Sequence, residues 1–343
     1  MRGVQRLRRT ARRLLHAWSP RALVLMYHRV ANLPTDPQRL AVTPEHFAVH
    51  LEIVRRYAQP LRLAELAEAL QGDRLPPRAV TLTLDDGYVD SLENARPILE
   101  QFEMPATVFV TMGQLRCQSE FWWDELDRLL LQPGTLPATL RLDVGGRSYA
   151  WELGTAATYD EDAFQRHRGW HVERPDDPTT RQRLYRSLHR LLQPLPGAEQ
   201  RTILNDLAAW AGLDSGARPS HRTLTADEVI DLRAGGLIEL GAHTMSHPAL
   251  PVLSEATQRN EIEQSKIQLE QLVGQAVTAF AYPYGLISPA TVGIVRTAGF
   301  RYACSTAPGL VWPRADCLQL PRFAVRDCDP VRFEDQLKAW IRG

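Results

Sequence analysis

The segment V-T-L-T-L-D-D-G, residues 80–87, joins a short apolar run directly to two carboxylates and a glycine. An apolar run of this length that ends at a turn residue is typical of a buried β-strand, here Val80–Leu84. Two adjacent carboxylates at a strand end need a compensating positive charge, which a divalent cation supplies. The segment therefore predicts a strand that leads into a candidate metal site at Asp85 and Asp86.

Similar apolar runs recur along the chain and alternate with stretches of helical periodicity. This alternation is typical of an α/β fold with a parallel sheet, and about seven strands over this length favour a closed or nearly closed barrel. The predicted strands are Leu23–Tyr27, Val80–Leu84, Ala106–Thr111, Leu237–Ala242, Val277–Tyr282, Tyr302–Ser305 and Leu318–Phe323. The predicted helices are Pro44–Tyr57, Asp90–Phe102 with a break at Pro97, Ala226–Ala234, Glu255–Val273, Pro289 to Gly299, and Pro330–Ile341.

The stretch from about residue 114 to residue 221 interrupts this alternation. It contains two further predicted helices, Phe121–Leu131 and Arg181–Leu192, and a predicted hairpin around Gly145–Gly146. We therefore predict one domain over residues 22–343 that carries an inserted α+β segment at about 114–221, near the mouth of the barrel.

The charges of the chain are balanced overall but not locally. The 343 residues include 40 basic and 40 acidic side chains, so net charge does not indicate a nucleic-acid partner. Residues 1–21 form a basic arm, with seven arginines and no acidic residue. Because this arm lacks the uninterrupted apolar run of a secretory signal, we expect a cytoplasmic protein with at most weak contact to the inner membrane face.

Two further polar segments follow predicted strands, H-T-M-S-H at 243–247 and Y-P-Y-G at 282–285. The carboxyl ends of barrel strands share one face, so these segments and Asp85–Asp86 are expected to surround one pocket. His243 and His247, with one carboxylate, form a ligand set that leaves positions open for catalysis. Each pattern alone is weak, because Asp-Asp-Gly is a common turn and a pair of histidines four residues apart is more often incidental. The expected cofactor is a divalent metal, Zn²⁺ by default, although Co²⁺, Ni²⁺ or Fe²⁺ also suits these ligands.

Together the three segments resemble the motifs of the NodB-type polysaccharide deacetylases, a carbohydrate esterase family. Thr83–Gly87 is similar to the first motif of that family, His243–His247 to the second and Tyr282–Gly285 to the third. The resemblance covers most of residues 23–325 apart from the insertion. It implies a distorted (β/α)7 barrel, in agreement with the alternation of strands and helices.

The resemblance also implies a role for each matching residue. Asp85 corresponds to the general base, and Asp86, His243 and His247 correspond to the metal ligands. The backbone N–H of Tyr284 corresponds to a donor that stabilises the tetrahedral oxyanion.

Two features depart from the family pattern. The third motif normally begins with an arginine that orients the base, but Ala281 stands there, and Arg322 is our candidate for the same role. The family's C-terminal acid histidine is also missing, since no histidine follows His247. His28, after the first strand, is our candidate general acid. An acid histidine in this place resembles the circularly permuted branch that includes poly-N-acetylglucosamine deacetylases.

These features predict a metal-dependent hydrolase that removes N-acetyl groups from an amino-sugar polysaccharide or oligosaccharide, in surface-glycan biosynthesis. The alternatives are an amidohydrolase that acts on another N-acyl substrate, and a carbohydrate-binding pseudoenzyme. We predict substrate contacts from Tyr88, Pro283 and Trp123, whereas Trp122 is expected to pack onto the barrel. The remaining histidines are expected at the surface, namely His16, His46, His50, His167, His171, His189 and His221.

Overall fold

A parallel sheet of seven main strands forms the centre of the computed structural model, which describes residues 21–72, 74–117, 119–214 and 216–342. The strands, labelled β1 to β7 in chain order, are Ala22–Tyr27, Ala79–Leu84, Ala106–Val110, Ile238–Ala242, Ala279–Ala281, Tyr302–Cys304 and Phe323–Ala324. β1 and β2 are buried along their whole length, as expected for parallel strands covered by helices. The predicted basic arm lies, except for Arg21, outside the described residues.

The sheet curls into a nearly closed barrel. Its strands follow the order β6-β5-β4-β3-β2-β1-β7, and the short strand Gln59–Pro60 adds to the start of β2. At one edge, Phe323 of β7 pairs with Leu25 of β1. Just before β7, Leu320 forms a parallel bridge with Cys304 of β6, the opposite edge strand. One segment therefore joins both edges, and the prediction of a distorted (β/α)7 barrel is confirmed.

The last strand is the one whose predicted position was wrong. The sequence predicts Leu318–Phe323, but the structure has only Phe323–Ala324 as a strand. The reason is that the backbone N–H of Arg322 donates to the carbonyl oxygen of Ala307, which belongs to a loop and not to a strand. The segment before β7 therefore leaves β6 after Leu320 and reaches β1 only at Phe323.

The described residues contain twelve α-helices, none of which is both long and apolar enough to span a membrane. The predicted break at Pro97 is confirmed, because a π-turn over Ser91–Ala95 is followed by a new helix at Arg96. The helices, labelled α1 to α12, are Pro44–Tyr57, Leu63–Gln71, Arg96–Gln101, Gln114–Cys117, Trp122–Leu130, Glu161–His167, Thr180–Leu192, Gly197–Ala211, Ala226–Arg233, Glu255–Val273, Pro289–Thr297 and Pro330–Arg342.

Side-chain caps mark the start of two of the predicted helices, whereas four helices, α2, α4, α6 and α8, were not predicted from the sequence. Ser254 caps the start of α10, and Gly274 ends it in a left-handed conformation. Thr225 and Glu228 form the predicted capping box of α9. By contrast, α8 follows Pro196, which provides no side-chain cap, so the sequence carried no start signal for it.

The insertion builds a hydrophobic core of its own beside the barrel. Its helices α5, α7 and α8 enclose side chains such as Leu126, Leu184 and Leu204, all of which are fully buried. The predicted hairpin is present as strands Thr139–Val144 and Arg147–Glu152. The remaining short elements are the strand pairs Arg29–Val30 with Ala41–Val42 and Gly134–Thr135 with Thr158–Tyr159, and the 3-10 turns Gly154–Ala157, Pro219–His221, Leu250–Val252 and Pro283–Gly285.

The expectation that the remaining histidines lie at the surface is wrong for His50 and His221, which are buried. The ring of His50 stacks on Phe333 with centroids 3.8 Å apart, since a neutral imidazole packs as an aromatic surface. His189 is half-buried and lies on the wall of the candidate site. His16 is outside the described residues.

Candidate active site

The three motif segments occupy the loops after β2, β4 and β5, at the carboxyl ends of these strands. In each loop one site residue has a positive φ angle: 74° at Asp86, 58° at His247 and 56° at Tyr284. Such conformations are unfavourable for residues with a side chain and persist where surrounding contacts impose them. The loop after β4 is braced in this way, because Glu261 of α10 accepts hydrogen bonds from the backbone N–H groups of Met245 and Ser246.

Asp86, His243 and His247 form a buried cluster with the geometry of a metal site. The Oδ1 atom of Asp86 lies 3.4 Å from Nε2 of His243 and 3.4 Å from Nε2 of His247. The other ring nitrogen of His243, Nδ1, lies 2.8 Å from the carbonyl oxygen of Ala281. Donation to this carbonyl leaves Nε2 as the unprotonated nitrogen that a metal binds. The three residues therefore fit a divalent cation, which their carboxylate and imidazole groups prefer.

The charge states of these groups also suit a metal. Burial lowers the pKa of His247 to about 3, so its imidazole is neutral at physiological pH. Burial raises the pKa of Asp86, but the imidazoles of His243 and His247 beside its carboxylate outweigh this effect and lower the pKa to about 2. A neutral imidazole and an ionised carboxylate are the forms that coordinate metals.

Asp85 lies beside this cluster and is paired with Arg322. Nη1 of Arg322 lies 2.7 Å from Oδ1 of Asp85, and Nη2 lies 2.6 Å from Oδ2, so the pair is bidentate. Arg322 also donates to Thr83 Oγ1 and to the carbonyl oxygen of Ser305. Burial raises the pKa of Asp85, but the guanidinium outweighs it, so the pKa falls below its ordinary value. Asp85 is therefore ionised, and its two oxygens are held in a defined direction.

A cavity of about 160 Å³ is lined by Asp85 and the three candidate metal ligands, and His28 also borders it. His28 follows β1 directly and is half-buried. Burial lowers its pKa, although the negative charges of Asp86 and Asp85 act in the opposite direction. Larger hollows of about 400 to 550 Å³ lie elsewhere on the surface, and none of them is lined by a motif residue.

The insertion forms part of the cavity wall. Trp123 of α5 lines the cavity and packs edge-on against His247, with ring centroids 5.0 Å apart. The adjacent Trp122 is buried, as predicted, and its Nε1 donates to the Tyr284 hydroxyl over 3.1 Å. The insertion and the third motif loop are therefore in direct contact at the site.

Two predicted substrate contacts are not on the cavity wall. Tyr88 is fully buried, where its hydroxyl donates to Asp124 over 2.6 Å and accepts from Trp123 Nε1 over 2.9 Å. Its position corrects the prediction, because Tyr88 supports Trp123 from behind instead of facing the cavity. Pro283 is likewise buried at the start of a turn, whereas the next residue, Tyr284, borders the cavity.

Five further residues of the cavity were not predicted from the sequence. These are Gln38 and Leu40 from the loop after β1, His189 and Gln193 from the end of α7, and Thr306 from the loop after β6. None lies near a motif in sequence, and only the folded chain brings them to the cavity.

Comparison with known proteins agrees with this geometry. The family model for polysaccharide deacetylases matches residues 72–133 and 212–303. The unmatched residues between them fall in the insertion, and His28 and Arg322 lie outside the match on either side. The two matched stretches contain Asp85, Asp86, His243, His247 and Tyr284.

Two curated relatives match shorter stretches. A putative polysaccharide deacetylase of Bacillus subtilis, YxkH, is 32% identical over 25% of this chain and 30% of its own length. The poly-β-1,6-N-acetyl-D-glucosamine N-deacetylase of Escherichia coli K12 is 31% identical over 24% of this chain and 13% of its own length. The chain thus spans less than a third of either relative.

A solved structure supports the fold along nearly the whole chain. The Streptococcus pyogenes deacetylase PplD, in complex with acetate, superposes with a TM-score of 0.58 at 18% identity, over 94% of this chain and 99% of that one. The motif-bearing barrel, the buried ligand cluster and the family match lead to one conclusion. The chain belongs to the polysaccharide deacetylase family.

Proposed function

We propose that this protein is a metal-dependent hydrolase that removes N-acetyl groups from an amino-sugar oligosaccharide or polysaccharide. One observation carries the proposal: the candidate ligands Asp86, His243 and His247 border the same small cavity as the paired Asp85 and the candidate acid His28. These are the groups that hydrolysis of an unactivated amide needs, namely a metal site, a base and an acid.

Each residue has a defined task in this reaction. When bound at Asp86, His243 and His247, a divalent cation, Zn²⁺ by default, supplies Lewis-acid polarisation of the acetamide carbonyl. Asp85 accepts a proton from the attacking water, while Arg322 keeps the Asp85 carboxylate in place. The backbone N–H of Tyr284 donates to the carbonyl oxygen as it becomes negative.

The last step requires a proton donor on the leaving group. Protonated His28 donates to the amide nitrogen as the C–N bond breaks, which releases acetate and the free sugar amine. His28 borders the cavity together with both aspartates. Burial lowers the pKa of His28, and the negative charges of Asp86 and Asp85 oppose that shift.

The lining of the cavity favours an amino sugar over other N-acyl compounds. No lysine or arginine is among the described residues that line it. An N-acyl amino acid would bring a carboxylate that found no partner there, which is costly. The volume of about 160 Å³ is well below the roughly 300–1,000 Å³ of pockets that enclose a drug-sized ligand. The cavity is thus suited to one acetamido sugar, with the rest of the glycan outside.

The pseudoenzyme alternative rested on Ala281, which replaces the family arginine. Arg322 makes the bidentate contact with Asp85 that the missing arginine would make, so this departure does not argue against turnover. We therefore rank the hydrolase first.

We further propose that the protein works in the cytoplasm, at the inner membrane face, on an intermediate of surface-glycan assembly. Support comes from the arginine-rich arm at residues 1–21, which suits weak contact with anionic lipid. Cell fractionation tests this proposal, and recovery of the native protein from the periplasm would contradict it.

The first experiment compares metal content and acetate release. Elemental analysis should find about one equivalent of metal in the wild type and in His46→Ala, a distant exposed histidine, but almost none in His243→Ala. Asp85→Asn should retain the metal and lose acetate release from N-acetylglucosamine oligosaccharides. Equal metal content in wild type and His243→Ala, or undiminished acetate release by Asp85→Asn, would refute the proposed function.

A further inference from the structure

We propose that His189 and Gln193, at the end of α7 in the insertion, recognise the uncharged sugar ring that carries the reacting acetamido group. This inference rests on the proposed function and names the residues that select its substrate. Both side chains border the same cavity as the metal cluster, although they lie outside the family match.

The position of His189 is defined by aromatic neighbours. Its ring lies 4.8 Å from the ring of Trp122 and 6.2 Å from that of Tyr185, measured between centroids. Trp122 in turn donates to the hydroxyl of Tyr284, in the third motif loop. The chain of contacts from His189 to Tyr284 therefore fixes the ring of His189 relative to the site of reaction.

The polar atoms of both side chains are available to a ligand. Within the described part of the chain, the ring nitrogens of His189 and the side-chain amide of Gln193 make no hydrogen bond to another group. The neighbouring Gln38 differs, because its amide donates to the Tyr185 hydroxyl over 2.8 Å. Both ring nitrogens of His189 and the side-chain amide of Gln193 are therefore free to hydrogen-bond to a ligand that enters the cavity.

The chemistry of this wall matches an uncharged sugar. Burial lowers the pKa of His189 to about 4, so at neutral pH its imidazole offers one donor and one acceptor. The Gln193 amide also offers both, which suits hydroxyl groups that donate and accept. Trp123 borders the same cavity and adds an aromatic contact to this wall.

The test uses the ratio of kcat/KM for an N-acetylglucosamine oligosaccharide to kcat/KM for an N-acetylated arylamine that has no sugar ring. His189→Phe keeps the aromatic packing and Gln193→Met keeps the length, but both remove hydrogen bonds. We expect each variant to lower the ratio about tenfold, through a higher KM for the oligosaccharide. Arg190→Gln, an exposed neighbour on the same helix, is the matched control and should keep the wild-type ratio.

A wild-type ratio in both His189→Phe and Gln193→Met would overturn the inference. An equal fall of kcat/KM for the oligosaccharide and for the arylamine would also overturn it, because it indicates a structural role. Failure of the proposed function looks different, since the wild type would then release acetate from neither substrate. In that event calorimetric titration with the oligosaccharide decides: an unchanged Kd in His189→Phe overturns the inference, and a Kd raised about tenfold supports it.

Discussion

Arg322 and Asp85 lie 237 residues apart in the chain and form a bidentate, fully buried ion pair at the edge of the candidate active site. The pair joins the start of β7 to the first motif loop. Removing one partner of a buried pair leaves the other charge without compensation, which is more costly than the loss of a surface pair.

Truncation of this arginine should therefore affect both stability and activity. Arg322→Ala is expected to lower the free energy of unfolding by about 3–5 kcal/mol, measured by urea denaturation. Arg322→Lys keeps the positive charge but loses the bidentate contact of the guanidinium, so it should cost less stability than Arg322→Ala. Because Asp85 is then no longer held in one direction, acetate release should slow about 100-fold. Combination with Asp85→Ala should recover part of the lost stability, and full additivity of the two changes would argue against the pairing.

Metal should stabilise the protein through the three candidate ligands. An ion that binds only the folded state adds about 2.7 kcal/mol when its free concentration is about 100 times Kd. Thermal unfolding of chelator-treated protein should thus shift upward when Zn²⁺ is added. His243→Ala should show no such shift, whereas His46→Ala should match the wild type. A shift that survives in His243→Ala would place the metal elsewhere.

Glu228 should make stability depend on pH at the acidic end. Hydrogen bonds from Arg222 and from the backbone of Thr225 lower the Glu228 pKa to about 2. Because the folded pKa lies below the unfolded value of about 4.3, its contribution is complete above that value and disappears as pH falls through about 2. Since the side chain is 25% exposed, we discount the contribution to about 1–2 kcal/mol.

The measurement is urea unfolding of wild type and Glu228→Gln between pH 7 and pH 2.5. The variant should be less stable at pH 7, and the difference should shrink as the pH falls below about 4. Glu263→Gln, in an exposed ion pair with Arg259, is the control and should change stability by only about 0.3–0.5 kcal/mol. A difference for Glu228→Gln that grows toward low pH would contradict the assigned sign.

Gly285 should tolerate no side chain. Its φ angle is +67°, and an added Cβ atom would lie 2.0 Å from Thr306 Oγ1 and 2.4 Å from the Thr306 backbone nitrogen. Gly145, at the hairpin turn, has φ +57° but no atom within 4 Å of the added Cβ. Gly145→Ala should therefore cost only the conformational strain, about 1–2 kcal/mol.

Gly285→Ala carries the same strain and a backbone clash in addition, so it should cost at least about 1 kcal/mol more than Gly145→Ala in urea unfolding. It should also displace Tyr284 and lower acetate release, whereas Gly145→Ala should leave acetate release unchanged. Equal costs for the two substitutions would show that the loop moves away from Thr306 easily.

Local sequence patterns predicted much of the fold because they report local backbone preferences. The burial of β2 and the caps of α9 and α10 depend on residues close together in the chain, and their bounds agree with the structure. The cluster of candidate metal ligands could also be predicted, since its residues come from two short motifs at the ends of parallel strands. The uncapped helix α8 carried no such local signal and was missed.

By itself, then, the sequence determined the order of the main strands, the candidate ligands Asp86, His243 and His247, and the candidate base Asp85. Only the tertiary structure decided that Arg322 pairs with that base, that Tyr88 faces Asp124 and not the cavity, and that the insertion brings His189 to the site. The physical reason is distance along the chain. A motif of five residues contains its own geometry, whereas contacts between remote segments depend on which strands become neighbours and on how an inserted core packs against them.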